Sequence, residues 1–172
     1  MQVASPSRER VEAYVQLRDE IELMVSRVNG DFDTMGHTAI RYLHQAYPRE
    51  EMVALFLAAD VMLVTALRDG MNLVAKEYVA SRNDNRGVLL LSEFAGAADE
   101  LGSSLRINPH DIEGLKDAIM RAVTMPPGEQ GRRMRAMRRK VVENDVDAWS
   151  RSFLTALATA RQPTAQESGD EE

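Results

Sequence analysis

Residues 61–92, VMLVTALRDGMNLVAKEYVASRNDNRGVLLLS, decide the fold class of this chain. Two short apolar runs, 61–65 and 87–92, each have the length and composition of a strand buried on both faces. A glycine turn at 68–70 separates the first run from residues 72–81, which are predicted to form a helix. Strand, helix and strand in this order predict two parallel strands joined by a crossover helix.

The same alternation continues on both sides of this stretch. A strand end at 2–4 is followed by a helix that Ser5-Pro6-Ser7 opens and Asn29-Gly30 ends. The remaining predictions are a strand within 38–46, a helix over 49–59, a helix over 95–101, a strand at 105–107 and helices over 111–123, 129–143 and 146–161. The sequence therefore predicts an α/β fold, a parallel sheet with helices on both faces, in which ligands bind at the carboxyl ends of the strands.

Composition narrows the class of protein. The chain has 172 residues, of which 44% are hydrophobic and 28% charged, as in one globular domain or one lobe of a larger protein. Its net charge of −6 argues against a general nucleic-acid or anionic-membrane binder, and the absence of cysteine excludes disulfides, thiolate metal sites and cysteine nucleophiles. With neither a signal-peptide core nor an apolar run long enough to span a bilayer, a soluble, cytoplasmic protein is expected.

The turn from the first buried strand into the following helix has the chemistry of a ligand site. Free N–H groups and the positive dipole end at a helix start suit a phosphate or sugar hydroxyls. Gly70 allows close approach of the backbone, and Asp69 could accept hydrogen bonds from sugar hydroxyls. Glu77, about one and a half turns into the helix, could face a ribose diol.

The same residues also allow a purely structural interpretation, in which no ligand is bound. Asp69 could simply cap the helix, as carboxylates commonly do, with Met71 and Leu73 in the core and Glu77 in solvent. The segment is neither a Walker loop nor a GxGxxG motif, so those motif rules do not decide between the two interpretations.

Residues 67–78, LRDGMNLVAKEY, resemble the nucleotide-sugar motif of the trehalose-6-phosphate synthase family of retaining glycosyltransferases, which have the two-domain GT-B fold. Further similar segments follow in family order: RVNGDF at 27–32, YLHQ at 42–45, SEFAGAA at 92–98, NP at 108–109 and NDV at 144–146 with Trp149. The resemblance covers about residues 2–155. It implies that residues 1–161 form the Rossmann-like, C-terminal donor-binding half of a GT-B fold, cut within its first strands, and that 162–172 are a disordered acidic tail.

The resemblance also assigns roles to residues of the motif. In the family the aspartate contacts the transferred glucose and the glutamate binds the ribose hydroxyls, which implies these roles for Asp69 and Glu77. The backbone groups that would border the sugar and diphosphate, or donate N–H groups to phosphate, belong to Gly70, Met71, Asn72, Leu73 and Val74.

Three residues outside the motif are assigned in the same way. The resemblance implies that Tyr47 lies at the base, that Met52 packs near uracil and that Arg8 holds the phosphate of the acceptor. An arginine suits a phosphate because its planar fork donates two hydrogen bonds. Trp149 is expected in the core or as an interdomain anchor.

The implied reaction is transfer of glucose from a nucleotide-glucose such as UDP-glucose to glucose 6-phosphate, giving trehalose 6-phosphate. No cofactor is implied, and no metal site, since His37, His44 and His110 form no ligand cluster. Neither nucleic acid nor membrane is an expected partner, whereas self-association is, because truncation should bare apolar surface.

Departures from the family predict that this chain alone is inactive. The family's N-terminal domain supplies most of the acceptor pocket, and an Arg and a Lys upstream of this chain's start neutralise the donor diphosphate. A related synthase with another phosphorylated acceptor, such as glycerol 3-phosphate, and a non-catalytic nucleotide-sugar-binding module are the alternatives.

Overall fold

The computed structural model describes residues 1–7 and 10–160 of the chain. Arg8 and the predicted tail at 162–172 therefore lie outside the described residues. The chain divides into two compact units, Met1–Met52 and Val53–Glu172, each of which is described by itself. Within the described ranges, no helix combines the length and apolar character that crossing a membrane requires.

The first unit contains a parallel strand pair and one long helix. Strand β1 (Gln2–Val3) pairs with β2 (Tyr42–Leu43), and helix α1 (Glu12–Phe32) lies between them in sequence. The strands at 2–4 and within 38–46 are thus confirmed. Helix α2 (Arg49–Ala58) follows Pro48, as predicted.

Both predicted ends of α1 are wrong. The helix begins at Glu12 instead of at Ser5-Pro6-Ser7, and Val11 precedes it without a side-chain cap. It also continues through Asn29-Gly30 to Phe32, because one glycine costs a helix only about 1 kcal/mol. The Asn29 side chain is used elsewhere, in hydrogen bonds to the N–H and C=O of Ile40 at 2.8 and 2.9 Å.

The second unit is a three-stranded parallel sheet with helices on both faces. The strands lie in the order β3-β4-β5, with Val61 opposite Val88 and Leu90 opposite Leu105. The elements are β3 (Val61–Val64), α3 (Leu73–Ser81), β4 (Val88–Ser92), α4 (Ala97–Glu100), β5 (Leu105–Ile107), α5 (Ile112–Val123), α6 (Pro127–Glu143) and α7 (Val146–Ala160). The predicted strand–helix alternation is confirmed, with a shorter α4 and an earlier α6.

The core of this unit is built around the central strand. All five residues of β4 are buried. Val88 and Leu90 pack with Leu105 and Ile107 against α5, while α3 and α6 also contact β4. Each fully buried aliphatic side chain contributes about 1.5–3 kcal/mol, so this strand anchors the loops at its carboxyl end.

Strand β3 does not have the burial predicted for it. Leu63 is 42% exposed, whereas Val64 is buried. The expectation of a strand buried on both faces is therefore wrong for β3, which lies at an edge of the three-stranded sheet and, among the described strands, pairs with β4 alone. An apolar run by itself does not distinguish an edge strand from a central one.

A buried arginine connects the end of α2 to the turn after α3. Arg82 is 3% exposed, and its Nη1 donates to the carbonyls of Phe56, Leu57 and Ala59 at 2.7–3.1 Å. Phe56 O also accepts from the Ala59 N–H at 3.3 Å, and the guanidinium adds donors at the end of α2, where the last carbonyls of a helix need partners from outside it. Asp84 lies 3.1 Å from Arg82 Nε and balances its charge.

Candidate functional site

The loop between β3 and α3 is held by its own side chains. Asp69 Oδ1 accepts from the Met71 N–H at 3.1 Å, and Oδ2 accepts from the Asn72 amide at 2.9 Å. These two bonds lower the pKa of Asp69, the Met71 N–H contributing most, because they stabilise the charged form. Asp69 is therefore an ionised, oriented carboxylate near neutral pH.

Asn72, and not Asp69, caps α3. Its backbone is left-handed, with φ 77°, and its Oδ1 accepts from the Ala75 N–H at 2.9 Å. Asparagine is one of the few residues other than glycine that adopt this conformation readily. The interpretation of Asp69 as the helix cap is thus wrong, and the Asp69 carboxylate faces the loop.

The loop after β4 is joined to this one through the backbone. The Asp69 N–H donates to Phe94 O, the Gly96 N–H to Asp69 O and the Ala97 N–H to Met71 O, at 2.7–3.1 Å. A Cβ on Gly96 would lie 2.2 Å from Gly70 O, so only glycine permits this approach. Loops 66–72 and 92–97 therefore form one platform at the carboxyl ends of the two strands.

The first turn of α3 offers unpaired donors beside this platform. The Ala75 N–H is occupied by Asn72, whereas the N–H groups of Leu73 and Val74 have no acceptor among the described residues. Both residues are exposed, as are Gly70 and Met71. Free amides at the positive end of a helix form an anion-binding position. Met71 and Leu73 are consequently not core residues, contrary to the structural interpretation.

Glu77 adds a second carboxylate further along the same helix. It follows Leu73 by four residues and so lies on the same helical face, one turn along. Its side chain is exposed, and no ion pair reaches it within the described part of the chain. The neighbouring Lys76, by contrast, pairs with Glu100 at 2.7 Å. Glu77 is free to accept hydrogen bonds from a ligand.

The other predicted site residues belong to the first unit. Tyr47 is half-buried just before α2, and its hydroxyl accepts a hydrogen bond from the Gln45 amide. Met52 is half-buried at the end of the first turn of α2. Among the residues that the structure describes, no three histidine or carboxylate side chains converge on a position that could hold a metal.

Sequence reasoning missed two residues that shape this site. Asn72 was expected to border the sugar, but its capping role and left-handed backbone were not predicted. The sequence indicates Gly96 only as part of the segment 92–98 that resembles the family. The signal for Asn72 was its place directly before the helix, whereas the close approach of Gly96 to Gly70 depends on strand pairing that a single sequence does not show.

A parallel α/β sheet that presents free helix amides and carboxylates at its carboxyl edge defines the Rossmann-like class of nucleotide-binding folds. The chain belongs to glycosyltransferase family 20, whose family model matches residues 1–159. The resemblance read from the sequence is thereby confirmed.

Curated relatives agree with this assignment. The chain is 62% identical over 159 residues to the trehalose-6-phosphate synthase of Mycolicibacterium vanbaalenii, covering 92% of this chain and 32% of that protein. It is 59% identical over 158 residues to the trehalose-6-phosphate synthase of Mycolicibacterium smegmatis, covering 92% and 31%. The chain thus spans about a third of the length of these relatives.

Solved structures confirm the GT-B assignment. An E. coli structure bound with UDP-2-fluoro glucose is 44% identical, with a TM-score of 0.87, over 91% of this chain and 35% of that one. An α,α-trehalose-phosphate synthase (UDP-forming) from Burkholderia xenovorans, in complex with glucose-6-phosphate, is 46% identical, with a TM-score of 0.87, over 91% and 34%.

Proposed function

We propose that this chain forms the donor-binding part of a retaining glucosyltransferase, which transfers glucose from UDP-glucose to glucose 6-phosphate and yields trehalose 6-phosphate. The observation that carries the proposal is the strand–turn–helix at 66–77, where an ionised carboxylate and two unpaired amides adjoin one platform. Family membership and the ligands of the two similar structures support the choice of substrates.

The helix start would receive the donor diphosphate. The N–H groups of Leu73 and Val74 can donate to phosphate oxygens, and the helix dipole adds positive potential there. The same amides would stabilise the charge that develops on the leaving diphosphate as the glycosidic bond breaks. Gly70, Met71 and Asn72 would border the sugar through their backbone.

Asp69 would orient the transferred glucose. Each of its carboxylate oxygens already accepts one hydrogen bond within the loop, and an ionised carboxylate has about four acceptor positions. The remaining positions can accept from sugar hydroxyls without disturbing the loop. Because two hydrogen bonds already hold the carboxylate, it would position the anomeric carbon of the bound glucose without rearranging itself.

The nucleoside would lie along α3. Glu77 is assigned to the ribose hydroxyls, since a free carboxylate can accept from both members of a diol. The family resemblance assigns Tyr47 and Met52 to the base and Arg8 to the acceptor phosphate. We further propose that residues 1–161 are the donor-binding domain of the complete enzyme, followed by an acidic tail.

Catalysis is proposed to require a larger assembly than this chain. Helix α7 exposes a stripe of large apolar side chains, among them Trp149 at 59%, Phe153 at 53% and Leu157 at 52%, and the first two stack at 5.4 Å. The expectation of Trp149 in the core is wrong, which favours its role as an anchor for a further domain. The chain alone is then expected to bind donor without turnover.

Calorimetric titration with UDP, UDP-glucose and ADP-glucose tests the donor site. Hydrogen bonds to a charged group contribute about 1.5–3 kcal/mol, so Glu77→Ala should weaken binding roughly 10- to 150-fold. Glu113→Ala, which removes another exposed glutamate at the start of α5, is the matched control and should leave the affinity unchanged.

Three results would contradict parts of the proposal. Equal weakening by both substitutions would show that Glu77 has no specific contact with the ribose. Absence of binding by the folded chain, persisting when the chain is extended to the length of its relatives, would favour a module without a donor site. Transferase turnover by this chain at the rate of a full-length relative would refute its dependence on a further domain.

A further inference from the structure

A second groove lies in the Val53–Glu172 unit, and none of its lining residues belongs to the site described above. It has a volume of about 460 Å³ and runs along the outer strand β5 and one face of α5. Three arginines line it, Arg106, Arg121 and Arg133, and we name it the arginine groove. Its size is in the range of small-molecule sites.

The arginines reach the groove from three different elements. Arg106 lies on β5, and one of its N–H groups donates to Ala98 O at 2.8 Å. Arg121 lies on α5, is 62% exposed and approaches Glu129 only to 3.8 Å. Because a guanidinium carries five N–H donors, these contacts orient both side chains and leave most of their donors unused.

Arg133 is the most firmly held of the three. Its Nε pairs with Glu129 at 2.8 Å, and its Nη1 donates to Ser103 O at 3.1 Å. The pair with Arg133 lowers the pKa of Glu129. A guanidinium fixed in this way presents its remaining N–H groups at a defined position, which is the geometry that planar phosphate recognition needs.

A buried hydroxyl without a partner lies beside the arginines. Ser104 lines the groove and is 6% exposed, and its Oγ has no hydrogen-bond partner in the described part of the chain. Buried polar groups are nearly always paired, so an unpaired one calls for an explanation. The Oγ atom is itself buried, so it would reach an anion in the groove only by turning to another rotamer, and no hydrogen bond opposes that turn.

The charged side chains that line the arginine groove favour the binding of an anion. Among the described side chains that line the groove, three are cationic and one, Asp117, is a carboxylate. Glu129, which is not among the lining residues, contacts Arg121 and Arg133 and neutralises part of their charge. The local excess of positive charge contrasts with the net charge of −6 of the whole chain. The three arginines that line the groove come from separate elements, unlike the charges of a solvated helix face, and guanidinium groups are well suited to bind phosphate.

We propose that the arginine groove binds a phosphate-bearing small molecule, with the phosphate between Arg106, Arg121 and Arg133 and near the Ser104 hydroxyl. This site is independent of the donor site and of the proposed transferase activity. Asp117 also lines the groove, and its negative charge would repel the anion. Removing that carboxylate should therefore tighten binding, whereas removing an arginine should weaken it.

Titration of the ¹⁵N-labelled chain with inorganic phosphate, and separately with ribose 5-phosphate, tests this site. Ionic strength is kept constant with sodium chloride, and the backbone amides of residues 69–74 report separately any binding at the donor site. We expect saturable shifts of the backbone amides at 102–106 and 114–121. Arg121→Gln should weaken binding about fivefold or more, and Asp117→Asn should strengthen it. Arg139→Gln, on the exposed face of α6, is the matched control.

Each result of this titration either supports the site or overturns it. Saturation by both compounds means that the phosphate group itself is recognised, and saturation by ribose 5-phosphate alone means that the organic part contributes; both support the site. Linear shifts that never saturate would overturn it. Equal effects of Arg121→Gln and Arg139→Gln, or weaker binding by Asp117→Asn, would overturn it as well, because affinity would then follow total charge or a different geometry.

Discussion

Gly96→Ala should loosen the platform that carries the candidate donor site. The backbone of Gly96 is right-handed helical, with φ −58°, so alanine is allowed there and the cost comes from contact alone. Its Cβ would lie 2.2 Å from Gly70 O and 3.0 Å from Gly70 C. Relieving that contact must separate the two loops, which weakens the Gly96–Asp69 and Ala97–Met71 hydrogen bonds.

The expected loss follows from these contacts. Overpacking costs about 1–3 kcal/mol, and each backbone hydrogen bond contributes about 1 kcal/mol net, so the free energy of unfolding should fall by roughly 2–4 kcal/mol. In a chain of this size the melting temperature should fall by roughly 5–15 °C. Thermal unfolding followed by circular dichroism measures this, and UDP titration should show weaker binding because the loop that leads into the Leu73 and Val74 amides is displaced.

Gly128→Ala is the matched control. Gly128 lies in α6, where an added Cβ meets nothing within 4 Å, and alanine favours a helix over glycine by about 0.5–1 kcal/mol. This variant should be as stable as the parent or more so. If Gly96→Ala melted within about 2 °C of the parent and bound UDP equally well, the close approach of the two loops would not be what holds the site.

Substitutions at two further residues test individual side chains. Asn72→Ala should lower the free energy of unfolding by about 1–3 kcal/mol, since it removes a helix cap and places alanine in a left-handed conformation; Asn72→Gly keeps that conformation and should lose less. Equal losses in urea would refute this account. Burial raises the pKa of Tyr78 to about 12, against about 10 unfolded, so stability should fall as pH rises through that interval. Tyr78→Phe should flatten this decline, and an unchanged slope would contradict the assignment.

The regular elements of the second unit could be predicted because local pattern and tertiary context agree there. The run 87–92 is apolar throughout, and β4 is indeed buried at every position. Asp111 stands before an amphipathic stretch, and its carboxylate accepts from the Gly114 N–H at 3.0 Å as a helix cap should. In both cases the residues of the element itself are enough to indicate its burial or the position of its end.

Where prediction failed, the deciding interaction was distant in sequence. Asn29-Gly30 looked like a helix end, yet Asn29 bonds to Ile40 and the helix continues. The run 61–65 looked central, yet its sheet position exposes Leu63. Both outcomes depend on which segment lies alongside, and hydrophobic periodicity contains no information about that.

The candidate site was predicted in its residue types but only partly in its geometry. Asp69 and Glu77 stand out because carboxylates beside a glycine turn and a helix start are suited to sugar hydroxyls. The sequence does not indicate which of Asp69 and Asn72 caps α3 and which is left to contact a ligand, since either side chain is a common helix cap. The structure separates them by conformation: the left-handed backbone of Asn72 directs its own amide to both Ala75 and Asp69.

The backbone bridge between Asp69 and Ala95 has an entropic consequence. It continues the pairing of β3 with β4 into what would otherwise be two independent loops. Fixing the backbone of one residue costs about 1–2 kcal/mol, so ordering four loop residues when a ligand arrives would cost roughly 4–8 kcal/mol. Here that ordering is complete once the chain has folded. A ligand that contacts residues 69–72 therefore meets a surface that is already ordered, and more of its interaction energy remains as affinity.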